Sequence, residues 1–261
     1  ESAKNERVKA ALRLHERRDR ERLGRTLIEG VRETARAAQA GVRIETVFLG
    51  VDQAGPDARA LASELEAAGA TVLETAEAPF ARVSRRQGPS GLIAVAAPPR
   101  RALEELTPPP DALILVAVGT EKPGNLGALA RSADAASASA LLSVDGSGTD
   151  PWNPAAIRAS MGAVFSVPTY TPDANVARTW LASHGVRRVA TSPAARDEIW
   201  DADLTGPVAL ILGPEHEGLD DAWLADADQQ VRVPMRGAAD SLNVAVTGAL
   251  LLFEAMRQRR G

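Results

Sequence analysis

The chain has 261 residues, of which 45% are hydrophobic and 25% are charged, and its formal net charge is −4 at pH 7. This composition predicts one large or two modest globular domains and excludes a wholly disordered protein. The sequence contains no cysteine, which excludes disulfides, thiolate metal sites and cysteine nucleophiles.

The first hundred residues predict a small α/β unit. We expect helices over 4–22, 29–40 and Pro56–Ala68, and strands over Val42–Leu49, Thr71–Leu73 and Gly91–Ala96. Pro56 suits the first turn of its helix, and Gly69 suits the position just after the end of that helix.

Two proline clusters lie close together after this unit. They are Ala97–Pro99 and Thr107–Pro110, and they bracket a short amphipathic piece. Prolines at this density favour extended chain that belongs to no compact unit. We therefore expect an N-terminal domain over 1–100, a linker over 101–110 and a second domain over 111–261.

The sequence of the second domain predicts a parallel sheet. Four short apolar runs without alternation predict strands over 112–118, 140–144, 186–190 and 207–212. Helices are expected over 125–136, 173–184 and 242–258. The last of these is apolar on nearly every side up to Phe253, so we expect it to be buried or to lie in a subunit interface.

Positive charge is concentrated near the N-terminus. Residues 1–25 hold nine basic residues against five acids, and smaller basic clusters occur at Arg85–Arg86 and over 257–260. The nine are Lys4, Arg7, Lys9, Arg13, Arg17, Arg18, Arg20, Arg22 and Arg25. A solvated helix face and a phosphate-contacting arm both explain this pattern, and charge alone leaves both open.

The sequence also bears on location and metals. No apolar run approaches the ~20 residues that span a bilayer, and no signal peptide is visible, although the chain begins at Glu1 without a methionine. His15, His184 and His216 are too scattered for a histidine-rich metal site. We therefore expect a soluble, cytoplasmic protein that needs no metal and makes no membrane contact.

Three loops each follow a predicted strand. They are Gly119–Arg131 (GTEKPGNLGALAR), Leu212–Leu219 (LGPEHEGL) and Val233–Asn243 (VPMRGAADSLN). Ligands bind outside the carboxyl ends of strands in open α/β sheets, so we expect the loops to converge. None of them contains GxGxxG or a phosphate-loop motif, and His216-Glu217 does not complete HExxH. The loops thus lack the usual dinucleotide, phosphate and zinc signatures.

Taken singly, the polar residues and glycines of these loops also have structural explanations. Asn125 and Ser241 could cap the helices that follow them. Gly213 and Gly218 could be turn residues with positive φ. Arg131 could be an exposed charge on a helix.

Taken together, the patterns Asn-x-Gly-x-x-x-Arg, Gly-x-Glu-x-x-Gly-Leu and Val-Pro-Met…Ser-Leu-Asn resemble the three motifs of the SpoU–TrmH family of RNA 2′-O-ribose methyltransferases. Arg158–Pro168 is similar to the family's link between its first two motifs. Leu27–Arg32 and Pro89–Val95 resemble its attached substrate-binding domain. The resemblance spans about residues 20–258, and Pro214 departs from it, because family members often carry Asn, Ser or Ala there.

The resemblance implies an α/β protein of the SPOUT type, with two domains. The C-terminal parallel-sheet domain would contain a deep trefoil knot, a topology that general rules of chain connection disfavour. The small N-terminal α/β domain would bind RNA and resemble a ribosomal protein. Family members are homodimers whose active site lies near the subunit interface. Their methyl donor is S-adenosylmethionine, held in a bent shape by the knot loops.

The resemblance also assigns site residues. The donor pocket would be lined by Gly213, Gly218, Val233, Met235 and Leu242, with Thr120 closing one side. The catalytic group would comprise Asn125, Arg131, Glu215, Ser241 and Asn243, with Glu217 as a weaker candidate acid. Arg131 is often described as the base in this family. A guanidinium has a pKa above roughly 12, however, so positioning of the nucleotide and stabilisation of alkoxide charge explain the same requirement.

The implied function is 2′-O-ribose methylation of RNA, with ribosomal RNA, and 23S in particular, as the expected substrate. A transfer-RNA substrate is the alternative within the class. A catalytically inactive RNA-binding protein that kept the knot is an alternative from another class, and a nucleotide-binding oxidoreductase is a third. The intact site residues argue against the second alternative, and the missing glycine fingerprint argues against the third.

Overall fold

The computed structural model describes residues 6–85, 90–144 and 148–260. Within them the chain divides into two compact units. The first unit holds the described residues up to Pro99 together with Trp152–Ser166. The second holds those of Arg100–Pro151 and those from Val167 onwards. Three residues of the expectations above lie outside the described residues, namely Lys4, Arg86 and Pro89.

The first unit is built on a four-stranded mixed sheet. Its elements up to Pro99 are α1 (Glu6–Arg13), α2 (Arg17–Leu23), β1 (Thr26–Glu29), α3 (Val31–Gln39), β2 (Arg43–Gly50), α4 (Pro56–Ala67), β3 (Thr71–Thr75), α5 (Glu77–Val83) and β4 (Leu92–Ala97). The strand order is β1-β4-β2-β3, antiparallel except for the parallel pair β2 and β3. Val8, Leu27, Phe48, Phe80 and Ile93 form part of its core.

The expectation of one helix over 4–22 is wrong, because the chain breaks between α1 and α2. Arg20 is buried at this break, and its guanidinium donates to the carbonyls of Leu14 (3.0 Å) and His15 (2.8 Å). Carbonyls satisfied by a side chain do not need helical partners. Gly24, with φ of +62°, then ends α2 in the left-handed conformation.

Two elements of the first unit that lie before Pro99 were not predicted. The strand β1 is four residues long, and all of them are buried, so the sequence offers no alternation to reveal it. This strand is stabilised by its pairing with β4. Because β1 runs to Glu29, the helix expected over 29–40 begins at Val31. The helix α5 is short and carries Pro79 in its first turn.

The second part of the chain alternates strands and helices. In chain order it contains β5 (Leu113–Val118), α6 (Pro123–Ala135), β6 (Ala140–Val144), α7 (Pro154–Ala159), α8 (Ala163–Ser166), β7 (Thr169–Tyr170), α9 (Ala174–Ser183), β8 (Arg187–Thr191), β9 (Asp197–Glu198), β10 (Val208–Leu212), α10 (Asp221–Asp226), β11 (Gln229–Arg232) and α11 (Val244–Gln258). Of these elements, α7 and α8 belong to the first unit. There Thr26 donates to the Trp152 carbonyl (2.6 Å) and Arg36 to the Met161 carbonyl (3.0 Å).

The second unit contains the expected parallel sheet. Its strand order is β7-β6-β5-β10-β8-β11-β9, and every pair is parallel. The four predicted strands are confirmed to within one residue at each end, and all residues of β5 and β10 are buried. The unpredicted strands β7, β9 and β11 have two to four residues, too few for a pattern. The trefoil knot stays a prediction, because strand order does not define how loops thread.

The helices α6 and α11 pack side by side in the second unit. A Cβ on Gly248 of α11 would lie 2.4 Å from Cδ2 of Leu129 in α6 and 2.9 Å from Cδ1 of Leu212 in β10. Glycine therefore permits this close approach. The packing brings the N-terminal ends of both helices together, with Asn125 near one and Asn243 at the other.

Ion pairs within the first unit account for much of the N-terminal positive charge. The pairs are Lys9–Glu6, Arg17–Glu21, Arg22–Asp19 and Arg25–Glu45, at 2.5–2.6 Å. Arg20 is buried and structural, so it cannot be part of a phosphate-contacting arm. Arg13 and Arg18 make no ion pair or hydrogen bond with other described residues, which leaves them as cations for a partner.

The C-terminal basic cluster also has structural roles. Arg257 pairs with Glu254 at 2.7 Å. Arg259 donates to the carbonyls of Leu204 (2.9 Å) and Gly206 (2.6 Å), and burial lowers the pKa of its guanidinium. In the described part of the chain no helix is long and apolar enough to cross a membrane.

Candidate active site

A cleft of about 330 Å³ lies at the carboxyl ends of strands β8, β10 and β11 in the second unit. Its size is at the lower end of the range of about 300–1,000 Å³ typical of small-molecule sites. The loops that follow these strands and the first turn of α11 form its walls. The lining includes eight residues that the sequence assigned to the site, namely Gly213, Glu215, Glu217, Gly218, Val233, Met235, Ser241 and Leu242. The predicted convergence of the second and third loops is thus confirmed.

The two glycines of the second loop have different reasons to be glycine. Gly218 has φ of +71°, as its turn prediction required, and its N–H donates to the Pro214 carbonyl at 3.2 Å. Gly213 is instead required by close approach, since a Cβ there would lie 2.5 Å from the backbone nitrogen of Leu219. Pro214 lines the cleft, and its missing N–H leaves the turn intact because the turn uses its carbonyl.

A chain of polar contacts joins all three loops. Lys122 Nζ lies 2.7 Å from Oε2 of Glu215, and the Asn125 amide donates to the other oxygen of that carboxylate. Asn243 in turn donates to Oδ1 of Asn125 at 3.1 Å. Its own Oδ1 accepts from the backbone N–H of Ala245 at 2.9 Å. Each amide therefore has a fixed orientation, with its donor and acceptor ends assigned.

The contact between Lys122 and Glu215 favours the ionised form of both side chains. The hydrogen bond from Lys122 is the main cause that lowers the pKa of Glu215, and burial acts in the opposite direction. The charge of Lys122, the Asn125 amide and the nearby His216 lower the pKa further. The same contact raises the pKa of Lys122. Glu215 is therefore a carboxylate at neutral pH and acts as an acceptor only.

Arg131 lies on the exposed side of α6, as predicted. The residues on the buried face of that helix include Leu126, Leu129, Ala130 and Ala133, which form the expected apolar stripe. Arg131 makes no hydrogen bond or ion pair with any residue in 6–85, 90–144 or 148–260. Its guanidinium is thus available to a partner, and the structure does not bring it into contact with Glu215.

The structural explanations of Asn125 and Ser241 as helix caps do not hold. The helix α6 begins at Pro123, two residues before Asn125, and its N-cap residue Lys122 makes no side-chain cap. Asn243 caps α11, while Ser241 is exposed and lines the cleft. Asn125 and Ser241 are therefore left for the site.

Thr120 is not among the residues that line the cleft. It is buried, and its carbonyl accepts from the N–H of Thr149 at 2.8 Å. A Cβ on Gly148 would lie 2.7 Å from that carbonyl oxygen. The segment around 148–149 thus covers Thr120, and the assignment of this residue to the donor pocket stays a prediction.

The sequence missed several residues of the cleft and its surroundings. Lys122 lies in the first loop, and no role was predicted for it. Thr191–Pro193 line the cleft and directly follow the strand predicted over 186–190, so the rule that ligands bind at carboxyl ends of strands could have found them. His216 and Thr247 also line it. Across the described ranges, no group of three or more His, Cys, Asp or Glu could hold a metal ion.

Comparison with known proteins places both parts of the chain. The model of the SpoU rRNA Methylase family matches residues 112–253. The model of an MRM3-like substrate binding domain matches residues 5–94. The first of these matches covers more than half of the chain and contains all three loops.

Individual relatives agree with the family models. A 23S rRNA (uridine(2479)-2′-O)-methyltransferase of Streptomyces viridochromogenes is 31% identical over 261 residues, covering 94% of this chain and 87% of that protein. A solved RNA 2′-O ribose methyltransferase is 49% identical with a TM-score of 0.86, covering 99% of this chain and 98% of its own. An AdoMet-bound rRNA methyltransferase from Sinorhizobium meliloti is 30% identical with a TM-score of 0.91, covering 100% and 97%.

Proposed function

The chain belongs to the SpoU rRNA methylase family, and from that premise we propose that it methylates a ribose 2′-hydroxyl of 23S ribosomal RNA with S-adenosylmethionine as donor. The single observation that carries the proposal is the cleft in the second unit, bordered by the polar chain from Lys122 to Asn243. A donor pocket and oriented amides beside it are what alignment of two reactants requires.

The cleft suits S-adenosylmethionine by its shape and its lining. Gly213 lets the backbone of the second loop fold closely on itself at the cleft, and the wall is largely apolar, with Leu212, Val231, Val233 and Leu242. Such a wall recognises an adenine ring through packing and backbone hydrogen bonds, without side-chain charge. When bound, the donor supplies a methyl group on a sulfonium sulfur.

The reaction joins the 2′-oxygen to the methyl carbon, breaks the carbon–sulfur bond and releases the hydroxyl proton. In this proposal Asn125 and Asn243 orient the ribose, since beyond the contacts that fix it each amide retains a second N–H and a second lone pair on its oxygen. Glu215 holds Asn125. Ser241 lies at the cleft and contacts the nucleotide there.

Arg131 is assigned to the RNA rather than to proton removal. A guanidinium keeps its proton at neutral pH, and its planar fork matches phosphate oxygens. The exposed, unpaired state of Arg131 among the described residues supports this role. Its positive charge then stabilises the negative charge that develops on the 2′-oxygen.

The first unit is proposed to contact the RNA substrate outside the cleft. Residues 1–99 with Trp152–Ser166 contain 17 Lys and Arg against 14 Asp and Glu, a net charge of +3, whereas the rest of the chain contains 13 against 20, a net charge of −7. Phosphate contacts favour the positive unit. We also propose a cytoplasmic location and the division given above, with 1–100 for substrate binding and 111–261 for catalysis, except that Trp152–Ser166 belongs to the first compact unit.

The function is tested by methyl transfer from labelled S-adenosylmethionine to unmodified 23S rRNA, 16S rRNA and transfer RNA. We expect label in 23S rRNA, recovered as an alkali-resistant dinucleotide at one position. Label in transfer RNA alone would move the substrate to that class. Calorimetry in the presence of a chelator should show donor binding. Donor binding without transfer to any of these RNAs would favour an RNA-binding protein, and absence of donor binding would refute the proposal.

We further propose a homodimer formed through α11. The outward face of this helix carries Val246 and Phe253, 47% and 49% exposed, seven residues apart and therefore on one side. The first turn of the same helix contributes Val244 to the cleft. A second copy is the occupant that the family resemblance implies.

Replacing Phe253 with Asp is expected to yield monomers, because the substitution places a charge in the centre of the apolar face. Light scattering at micromolar concentration should give twice 27.4 kDa for the native chain and 27.4 kDa for the variant. Val176→Asp, at an apolar residue on α9 that is 40% exposed, is the matched control and should remain dimeric. A monomeric native chain would contradict the proposal.

A further inference from the structure

Lys122 forms one end of the polar chain and is exposed to solvent. Its side chain is 63% exposed, whereas that of its partner Glu215 is 16% exposed. The contact spans 93 residues of sequence and ties the loop after β5 to the loop after β10. An exposed ion pair contributes little to stability, about 0–1 kcal/mol, so stability alone gives a weak reason for it.

The contact between Lys122 and Glu215 affects Asn125, which binds the other oxygen of the same carboxylate. One oxygen of Glu215 is taken by Lys122, which leaves the other for the Asn125 amide. A carboxylate accepts only, so Asn125 must present its Nδ2 to it and its Oδ1 to Asn243. A neutral Glu215 would itself donate, and Asn125 could then turn over and break the order of donors and acceptors.

Resting on the proposed function, we propose that Lys122 is a positioning residue for methyl transfer: its contact with Glu215 sets the orientation of the Asn125 and Asn243 amides at the ribose. It touches neither reactant. The residue is therefore needed for the rate of transfer and contributes little to donor binding or folding.

Few other charged groups influence the pKa values of Lys122 and Glu215. Glu215 is influenced by Lys122 and, more weakly, by His216, and Lys122 is influenced by Glu215 and Glu121. Burial opposes the ionised form of Glu215, so loss of Lys122 raises the pKa of that carboxyl. The fraction of Glu215 that is protonated in mild acid then increases, and the rate of transfer falls on the acid side.

The experiment compares Lys122→Met, Lys122→Arg and the native chain. With Lys122→Met we expect the single-turnover rate at pH 7 to fall about tenfold because the Asn125 amide is less firmly positioned. The acid limb of the rate profile should move to higher pH, because Glu215 loses the contact that lowers its pKa most. Lys122→Arg should restore the rate to within about twofold. Donor affinity and melting temperature should be unchanged. Arg178→Met is the matched control, because it breaks an ion pair of 2.6 Å with Asp226 in the same unit.

A second measurement does not depend on activity. The side-chain carboxyl carbon of Glu215, followed by NMR against pH, should titrate at higher pH in Lys122→Met than in the native chain. An unchanged titration, or an unchanged pH profile, would reduce the contact to a surface ion pair and overturn the inference. Equal losses of donor affinity and rate would also overturn it. A native chain that transfers no methyl group would refute the proposed function, while the NMR titration still tests the role of Lys122.

Discussion

Replacing Arg131 with Ala is expected to lower the single-turnover rate of methyl transfer by about two to three orders of magnitude, the usual loss when a group that stabilises transition-state charge is removed. The side chain is exposed and makes no hydrogen bond or ion pair with described residues, so stability should change by no more than ~0.5 kcal/mol. Donor affinity should be unaffected, because Arg131 does not line the cleft.

Arg131→Lys separates charge from shape. A lysine ammonium supplies the positive charge but cannot reproduce the planar fork, so it should restore only part of the rate. Donor affinity by calorimetry and single-turnover rate should be measured for each variant. A near-normal rate with Ala would show the catalytic assignment to be wrong. Parallel loss of donor affinity would show that Arg131 supports the cleft instead.

Replacing Gly213 with Ala is expected to weaken donor binding at least a hundredfold. The new Cβ would lie 2.5 Å from the Leu219 nitrogen and 2.6 Å from the Gly218 carbonyl carbon. These neighbours are backbone atoms that cannot rotate away, so the whole second loop must move. Because that loop forms one wall of the cleft and carries Glu215, both donor affinity and rate should fall.

Gly55→Ala is the control for this substitution. Gly55 lies in the first unit with φ of −75°, and a Cβ there would meet nothing within 4 Å. It should bind the donor as the native chain does. Calorimetric titration of both variants, with circular dichroism to establish that they fold, makes the comparison. Native donor affinity in Gly213→Ala would show that the donor does not use this loop.

Local pattern was sufficient where a short apolar run stands alone between helices, or where the residues of a motif follow one another along the chain. The four long strands of the parallel sheet were predicted because short apolar runs between helices have few alternatives. The residues of the second and third loops that line the cleft were singled out because their order along the chain resembles family motifs. Taken singly, Asn125 in the first loop would have been interpreted as a helix cap.

Local sequence pattern failed where the structure of a segment depends on a residue or strand that is distant in the sequence. The break between α1 and α2 depends on Arg20 reaching two carbonyls. Charge alone left a solvated face and a phosphate-contacting arm open for the N-terminal basic residues, whereas the fold pairs Lys9, Arg17 and Arg22 with acids. The strand β1 exists because β4 lies beside it. None of these partners can be inferred from local spacing.

The sequence by itself determined the parallel sheet, the family and the residue types of the site. Tertiary structure alone decided which side chains meet, since Lys122 and Glu215 lie 93 residues apart and Asn125 and Asn243 lie 118 apart. Those contacts exist because strands β5 and β10 are neighbours and because Gly248 lets α11 approach α6. Pairing and packing between remote segments are properties of the folded chain, and the periodicity of residues along a single helix or strand does not predict them.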